Sequence, residues 1–327
     1  MSARTGARRA LGGVIVTTVA VGAIAACVDI ATGPGGISSI RVDTPSHAIV
    51  TGDTLRDSTG AVTRLHASAF GQNGDSLSDV AFRFVGLASS TDTTQRASVL
   101  LVDSATGLVR ARATRTAPIG RVAVTVGGTL QIVDTLNIVP KPTALALANA
   151  KDAALRTLAF LCTDSLAARP ETLTVAPRTP GLPDTVFAGN YIPLATKLTG
   201  DSSGTALPVR GYYVRYDIVT PAGTAIPTVT LANGTKRPAI GIVRDVFSDR
   251  QNPFDTTDAA GISTAALRIF PRALTASAFA DTLIPVTVRA VVRRTRTDSL
   301  TPIEFRLRLR RLTRSPIDGS PVACPTP

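Results

Sequence analysis

The most informative stretch of the chain is Leu65-His66-Ala67-Ser68-Ala69-Phe70-Gly71-Gln72-Asn73-Gly74-Asp75. In its first half Leu65, Ala67 and Ala69 alternate with other residues at a period of two, which is typical of a β-strand. Asn73-Gly74 then predicts a hairpin turn, because both residues accept the positive φ that the central positions of such a turn require. The stretch therefore predicts an antiparallel β-sheet.

Similar short runs follow on the C-terminal side of this hairpin. They are Val80–Val85, Val99–Val102, the alternating Val122, Val124 and Val126, and Thr129–Val139 after Gly127-Gly128. Short strands separated by turns at regular spacing are typical of a β-sandwich. We therefore predict a first β-sandwich domain at 37–140.

Length and composition support the same fold class for the rest of the chain. With 327 residues the protein exceeds one typical domain, so two domains are expected. Aromatic residues make up only 4% and there is no tryptophan, so Val, Leu, Ile and Ala must fill the cores. Frequent Thr, Val, Gly, Pro and Asp suit strands and turns, and the predicted fold class is all-β.

A family resemblance is visible in the run Val102-Asp103-Ser104-Ala105-Thr106-Gly107-Leu108-Val109-Arg110-Ala111. A strand, an Asp/Ser/Thr turn and Gly-Leu-Val-x-Ala in this order resemble bacterial immunoglobulin-like domains of group 2. Gly52-Asp53-Thr54-Leu55 is similar to what precedes this run in the family, whose middle-strand aromatic would be Phe82 or Phe84 here. Such domains serve as stalks, adhesin modules and spacers without shared catalytic residues, so the resemblance implies a structural or adhesive role.

A second immunoglobulin-like β-sandwich is predicted at 150–325, beyond the stiff boundary Pro140-Lys141-Pro142. Its clearest strand is Val209–Val219, which an irregular insertion separates from the turn at 255–261 and the strand Ile262–Phe270. A strand, a loop, Thr-Asp-x-x-Gly and a strand resemble invasin-like, group 1 bacterial immunoglobulin-like domains. Residues 144–161 are compatible with a helix or a strand, and we favour a strand at Leu155–Cys162.

The N-terminus predicts export. Arg4, Arg8 and Arg9 precede the uncharged, mostly apolar Leu11–Ala26, as in a signal peptide, here 1–26. Ile24-Ala25-Ala26-Cys27 resembles the lipobox of bacterial lipoproteins, in which the cysteine receives acyl chains such as palmitate. The resemblance implies a membrane anchor at Cys27, a flexible tether at 27–36 and, since Val28 follows, the outer membrane of the cell envelope. The alternative is a simple signal peptide followed by a chance cysteine.

Cys162 and Cys324 are the two cysteines that remain if Cys27 is acylated. In an oxidising compartment we predict one disulfide bond between them, which would tie the start of the second domain to the end of the chain. The alternatives are two free buried thiols or an intermolecular bridge.

Arginines supply most of the chain's net charge of +12, and several alternate with apolar residues near the C-terminus. Arg306, Arg308 and Arg310 alternate with Phe305, Leu307 and Leu309, so a strand would place the two sets on opposite faces. If the strand at 283–294 pairs with it, Arg289 and Arg293 join the same cationic patch. The functional interpretation is binding of lipid phosphate or acidic envelope glycan, and the plainer one is a solvated outer face.

The sequence contains no convincing catalytic or metal-binding motif. Gly200-Asp201-Ser202-Ser203-Gly204 matches a nucleophile elbow, but no helix is predicted after it and both histidines, His47 and His66, lie in the other domain, so we favour a β-turn. Asp255 and Asp258 lack the spaced oxygen ligands of a calcium loop, which favours a turn there too. We predict no catalytic residues, no metal site, no cofactor and, without an aromatic stacking platform, no nucleic-acid partner.

Three functions are compared. The first is a non-enzymatic, membrane-anchored cell-envelope lipoprotein with a structural, spacer or adhesive role, whose partner would be the membrane, an envelope glycan or a surface protein. The alternative is a glycan- or polyanion-binding lipoprotein that uses the arginine-rich face of the second domain. The third is a hydrolase with Ser202 as its nucleophile, which the missing histidine and helix make the weakest of the three.

Overall fold

The computed structural model of the protein describes residues 36–88, 98–113, 118–127, 130–153, 155–161, 172–173, 185–187, 191–219, 228–230, 234, 236–244, 251–269 and 284–312. These residues contain β-strands, one 3-10 turn at Ala150–Ala153 and no α-helix. The strands build two β-sandwiches that follow one another along the chain. The predicted all-β fold class with tandem sandwiches is confirmed.

The first sandwich has nine strands in the described chain: β1 (Ile37–Asp43), β2 (Ala48–Val50), β3 (His66–Gly71), β4 (Ser76–Leu77), β5 (Phe82–Leu87), β6 (Leu100–Val102), β7 (Val109–Ala111), β8 (Ile119–Val126) and β9 (Leu130–Val139). One layer contains β1 paired with β3 and β6 paired with β7, which the bridge between Arg64 and Leu108 joins. The facing layer has the order β2-β9-β8-β5.

The second sandwich has fourteen strands in the described chain: β10 (Lys141–Leu147), β11 (Arg156–Leu161), β12 (Thr172–Leu173), β13 (Thr185–Phe187), β14 (Tyr191–Ser202), β15 (Thr205–Pro208), β16 (Tyr213–Val219), β17 (Thr228–Thr230), β18 (Lys236–Pro238), β19 (Ile240–Val243), β20 (Phe254–Thr256), β21 (Ile262–Ile269), β22 (Ile284–Val291) and β23 (Ile303–Leu312). One layer has the order β10-β14-β21-β19, with β15 also on β14. The other has the order β12-β13-β11-β23-β22-β16-β20.

Both sandwiches share one strand order. In immunoglobulin nomenclature, strands A, B, E and D form one layer and strands C, F and G the other. In the first domain these are β1, β3, β7 and β6 against β5, β8 and β9, and in the second β10, β14, β21 and β19 against β16, β22 and β23. Each last strand also pairs with a parallel strand, β2 with β9 and β11 with β23.

Alternation along the strands builds the two cores. In the first sandwich Val122 and Val124 of β8, as predicted, face inward and are fully buried together with Leu65 and Val109. The larger second core takes inward residues from both of its layers, and its fully buried members include Ile192, Leu194, Leu198, Tyr216, Leu267, Val288 and Phe305. Each such apolar side chain contributes roughly 1.5–3 kcal/mol when it leaves water.

The Asn73-Gly74 hairpin forms, but with a different turn from the one expected. Only Gly74 has a positive φ, of 82°, and the Gly74 amide donates to the carbonyl of Gly71 at 3.0 Å. The Gly71 amide donates in turn to the carbonyl of Asp75 at 2.9 Å, which closes a three-residue loop before β4. The expectation of positive φ at both central positions was wrong, because a three-residue loop requires it only at its last residue.

The start of the second domain was the hardest region to interpret from sequence. Residues 144–161 contain the end of β10, the 3-10 turn and β11, so the preference for a strand near Leu155–Cys162 is confirmed. β10 begins at Lys141, ahead of the predicted domain start at 150, and pairs with β14. The segment interpreted as irregular contains β19, all four residues of which are buried.

Candidate functional site

The arginine-rich sheet face of the second sandwich forms as the alternation predicts. β22 and β23 are antiparallel, with Thr287 opposite Arg306 and Val288 opposite Phe305. Val286, Val288 and Ala290 of β22 are buried with Phe305, Leu307 and Leu309 of β23. Arg289, Arg306 and Arg308 lie on the opposite, solvent-facing side. Arg310 follows on the same strand, and its side chain lies outside the described part.

Carboxylates of the same domain pair with most of these arginines. The Arg289 guanidinium lies 3.0 Å from one oxygen of Glu304, and that of Arg306 lies 3.7 Å from the other. On the neighbouring strand β16, Arg215 pairs with Asp217 at 2.8 Å. Exposed pairs of this kind contribute about 0–1 kcal/mol each to stability, and the two carboxylates offset half of the charge of Arg215, Arg289, Arg306 and Arg308.

Arg293 lies apart from this face. It follows the end of β22 in a loop that the antiparallel bridge between Arg293 and Ser299 closes. Its guanidinium donates to the carbonyl of Arg296 at 3.0 Å, and its own carbonyl accepts a hydrogen bond from the Tyr212 hydroxyl at 3.1 Å. The structure thus brings Arg289, Arg306 and Arg308 together and places Arg293 at the junction between the sandwiches. Polyanion binding by these residues stays a prediction.

The junction between the two sandwiches is short and tightly packed. One residue, Pro140, separates β9 from β10. Ala48 and Val139 of the first sandwich belong to the core of the second, with 3% and 4% of their surfaces exposed. Asn137 of the first sandwich and Gly211 of the second approach closely, since a Cβ at Gly211 would lie 3.1 Å from the Asn137 amide nitrogen.

The loop between Asp57 and Ala61 makes a second contact across the junction. Gly60 has a φ of 80°, and a Cβ there would lie 2.5 Å from the carbonyl carbon of Thr295 in the second sandwich, so only glycine fits. Arg56 braces this loop by donating to Asp53 at 2.9 Å and to the carbonyl of Gly60 at 3.0 Å.

Burial at the junction affects the pKa values of Tyr212 and Asp53. Burial raises the pKa of Tyr212 to about 12, so its hydroxyl stays protonated and remains a donor to Arg293. Burial also acts to raise the pKa of Asp53, but hydrogen bonds from Arg56 and the Thr54 amide outweigh it and hold that pKa below its usual value. Asp53 is therefore ionised at neutral pH and keeps Arg56 in place.

The Gly200–Gly204 motif is the turn of a hairpin. Ser202 ends β14 and Thr205 begins β15, with φ of 56° at Ser203 and 82° at Gly204. The Gly204 amide donates to the Asp201 side chain at 2.9 Å. The predicted β-turn is confirmed, because a strand stands where a nucleophile elbow needs a helix.

Residues 258–261 also form a turn, which follows β20 and in which the Gly261 amide donates to the Asp258 carbonyl at 3.1 Å. Asp258 accepts hydrogen bonds from the amides of Ala260 and Ile262 at 2.8 and 2.9 Å, and the Asp255 carboxylate is engaged by Ser263 and the Thr264 amide. Asp258 therefore serves the turn, as predicted, whereas the turn role expected for Asp255 is wrong, because Asp255 lies on β20 and accepts from Ser263 and Thr264 of β21. Among the described residues, no group of three or more His, Cys, Asp or Glu side chains could hold a metal ion.

Several predicted sites lie outside the described residues. They are the signal peptide 1–26, the acylation site Cys27 and the cysteines of the predicted disulfide, Cys162 and Cys324. Of the described residues, none belongs to a helix with the length and apolarity to span a bilayer.

The structure also reveals an arginine-bearing face that the sequence reasoning missed. It lies on the outer side of the layer that contains β6 and β7, and we call it the basic–aliphatic face; its members are Val62, Arg64, Leu101, Leu108, Arg110 and Arg112. Arg64 lies opposite Leu108, and Arg110 lies opposite Leu101. The alternation of Leu108, Arg110 and Arg112 with the buried Val109 and Ala111 was the available signal.

Comparisons with known proteins give only distant similarities. No family model matches the chain, and no curated protein does. Among solved structures, the Yersinia pseudotuberculosis adhesin InvE is similar at 12% identity and a TM-score of 0.28 over 85% of this chain, which spans 61% of that one. The D00-D0 domain of intimin matches at 11% identity and a TM-score of 0.21, with coverage of 82% of this chain and 99% of the other. Domains 4 and 5 of the S-layer protein SbsC match at 11% identity and a TM-score of 0.24, with coverage of 84% and 100%. Similarities this low assign no function to this chain.

Proposed function

We propose that the protein is a membrane-anchored lipoprotein of the bacterial cell envelope, in which two immunoglobulin-like sandwiches act as a structural or adhesive spacer without catalysis. The observation that carries the proposal is the junction. A single linking residue, Pro140, and a shared core that includes Ala48 and Val139 couple the two domains. Domains joined by long polar linkers move independently, whereas domains that share buried apolar surface hold a fixed geometry.

A fixed geometry is what a spacer needs, because it holds whatever lies at its far end at a set distance from the anchor. The lipobox-like Ile24-Ala25-Ala26-Cys27 supports that anchor. The glycan-binding alternative has less support, because Arg289 and Arg306 on the face it would use already pair with Glu304.

Substitution of Gly60 tests the junction. Gly60→Ala should cost roughly 1–3 kcal/mol, because the residue is in the left-handed region and the new methyl group overlaps the Thr295 backbone. We expect the two sandwiches to separate, seen as a split calorimetric transition and a larger radius of gyration in small-angle scattering.

The matched control is Gly74→Ala, which has a similar φ of 82° but no atom within 4 Å of the new Cβ. It should cost only the backbone strain, about 1 kcal/mol, and leave the transition unsplit. Equal behaviour of the two variants would contradict the rigid junction.

The anchor is tested by intact mass and fractionation. The mature protein should carry acyl chains on Cys27 and sediment with membranes, and Cys27→Ser should move it to the soluble fraction, because one or more lost acyl chains remove the hydrophobic attachment. Mature protein with an unmodified Cys27 would overturn this part of the proposal.

A further inference from the structure

The arginines of the basic–aliphatic face are charged and open to solvent. In the described part of the chain, Arg64, Arg110 and Arg112 form no ion pair. Two carboxylates lie near the face without an ion pair to it. Asp53 is held by Arg56 and is also attracted by Arg110, and Asp103 accepts two backbone amides at 3.1 and 2.8 Å and is also attracted by Arg64.

Exposed aliphatic side chains lie between these arginines. Val62, Leu101 and Leu108 expose 55%, 44% and 40% of their surfaces, while their neighbours Leu100 and Val109 are buried. The sheet places Arg64 beside Leu108 and Arg110 beside Leu101. The face therefore presents cations and apolar groups side by side on one surface.

This combination matches the surface of an anionic bilayer. A guanidinium pairs with phosphate through two parallel hydrogen bonds, and aliphatic side chains gain free energy by entering the boundary between headgroups and acyl chains. An acidic polysaccharide would satisfy the arginines but would offer the three aliphatic side chains no apolar contact.

The proposed anchor puts this face within reach of the membrane. The carbonyl of Gly36, where the described chain starts, lies beside Gly71 at the end of β3. Arg64 lies on the chain segment that leads to Gly71, and about 23 Å separate the two residues if that segment is fully extended. The residues between Cys27 and Gly36 span up to roughly 30 Å when extended, so the tether permits the face to meet the bilayer.

From these observations we propose that the basic–aliphatic face is a docking surface for anionic phospholipid, which lays the first sandwich against the membrane that anchors it. The inference rests on the proposed anchoring for its location, and the face's own chemistry supplies the contact.

Vesicle binding tests the proposal. The mature chain carrying Cys27→Ser is mixed with vesicles of phosphatidylglycerol and phosphatidylcholine and sedimented. We expect binding to the anionic vesicles, weakened by salt, and little binding to phosphatidylcholine alone. Replacing Arg64, Arg110 and Arg112 by Gln should weaken binding on the order of 100-fold, since each arginine near such a surface contributes about a fivefold factor.

Two further variants make the result specific. Val62→Thr with Leu108→Thr keeps the charge and should still reduce binding several-fold, which a purely electrostatic attraction would not. Arg215→Gln, Arg289→Gln and Arg306→Gln together remove the same charge from the second sandwich and should leave binding nearly unchanged. All variants should keep the parent's thermal transition.

Several outcomes would overturn the proposal. They are equal loss in the two triple-arginine variants, no loss in the first, or binding to polygalacturonate in place of vesicles. Because the tested chain has no acyl group, its vesicle binding is independent of the fate of Cys27 in cells, which the mass measurement decides separately.

Discussion

The outer faces of the two sandwiches use arginine in opposite ways. On β22 and β23 of the second sandwich, Arg289 and Arg306 share Glu304 across the strand pair. On the basic–aliphatic face of the first, Arg64 and Arg110 have the aliphatic Leu108 and Leu101 as their cross-strand neighbours. The same alternation thus gives a polar surface with a shared carboxylate in one domain and a cationic, partly apolar surface in the other. The residue on the neighbouring strand decides which of the two results.

The largest effect on stability should come from the buried side of β22 and β23. Phe305 has 1% of its surface exposed and lies next to the exposed Arg306 on β23. Phe305→Ala should lower the free energy of unfolding by about 3–5 kcal/mol through lost burial and a cavity, and Arg306→Gln by less than about 1 kcal/mol. Chemical denaturation of both variants measures this ratio. A large loss of unfolding free energy in Arg306→Gln would mean that the pair with Glu304 is structural, which would contradict the contrast between the two faces.

A smaller effect, on vesicle binding, should follow when the β22–β23 face loses the carboxylate of Glu304. Glu304→Gln leaves Arg289 and Arg306 without their shared partner, so the charge of this face should resemble that of the basic–aliphatic face. In a chain that already lacks Arg64, Arg110 and Arg112, we expect binding to phosphatidylglycerol vesicles to rise about fivefold, with stability changed by less than about 1 kcal/mol. Asp43→Asn, which frees the exposed Arg41 on β1, is the control. Equal gains in the two variants would show that total charge, and not the face, governs binding.

The smallest effect concerns the pH dependence of stability and involves Asp53, at the edge of the basic–aliphatic face. Because hydrogen bonds hold the folded pKa of Asp53 below its ordinary value of 3.8, its contribution to stability is present above that value and is lost as the pH falls through the folded pKa. Asp53→Asn should therefore destabilise the protein near neutral pH by less than about 1 kcal/mol and flatten this part of the acid dependence. Denaturation midpoints at neutral and acidic pH check it. An unchanged acid dependence in the variant would assign the effect to other carboxylates.

Local patterns predicted much of the fold. The alternation in β8, β22 and β23 specified which side chains are buried, since a strand has only two faces. The turns at 200–204 and 258–261 were predictable because their Asp side chains accept hydrogen bonds from backbone amides a few positions away. The hairpin loop after β3 was predicted in place but not in type.

The missed features depend on pairing between distant segments. The basic–aliphatic face exists because Arg64 meets Leu108 and Arg110 meets Leu101, and no local pattern sets those registers. The junction depends on Gly60 meeting Thr295, which lie far apart in sequence. Glu304 was visible next to the arginines, but only the register of β22 with β23 shows that Arg289 lies opposite it.

The position of β23 sets the order in which the two sandwiches can fold during synthesis. It is the last strand of the described chain, yet it lies in the interior of its sheet, between β11 and β22. The first sandwich has all its strands before Pro140 and can close while later residues are still emerging. The second must wait for β23, and its parallel pairing with β11 joins segments far apart in sequence, a slow step in folding. Until then both flanking strands expose unpaired edges, so this half of the molecule is the one more prone to aggregation while it folds.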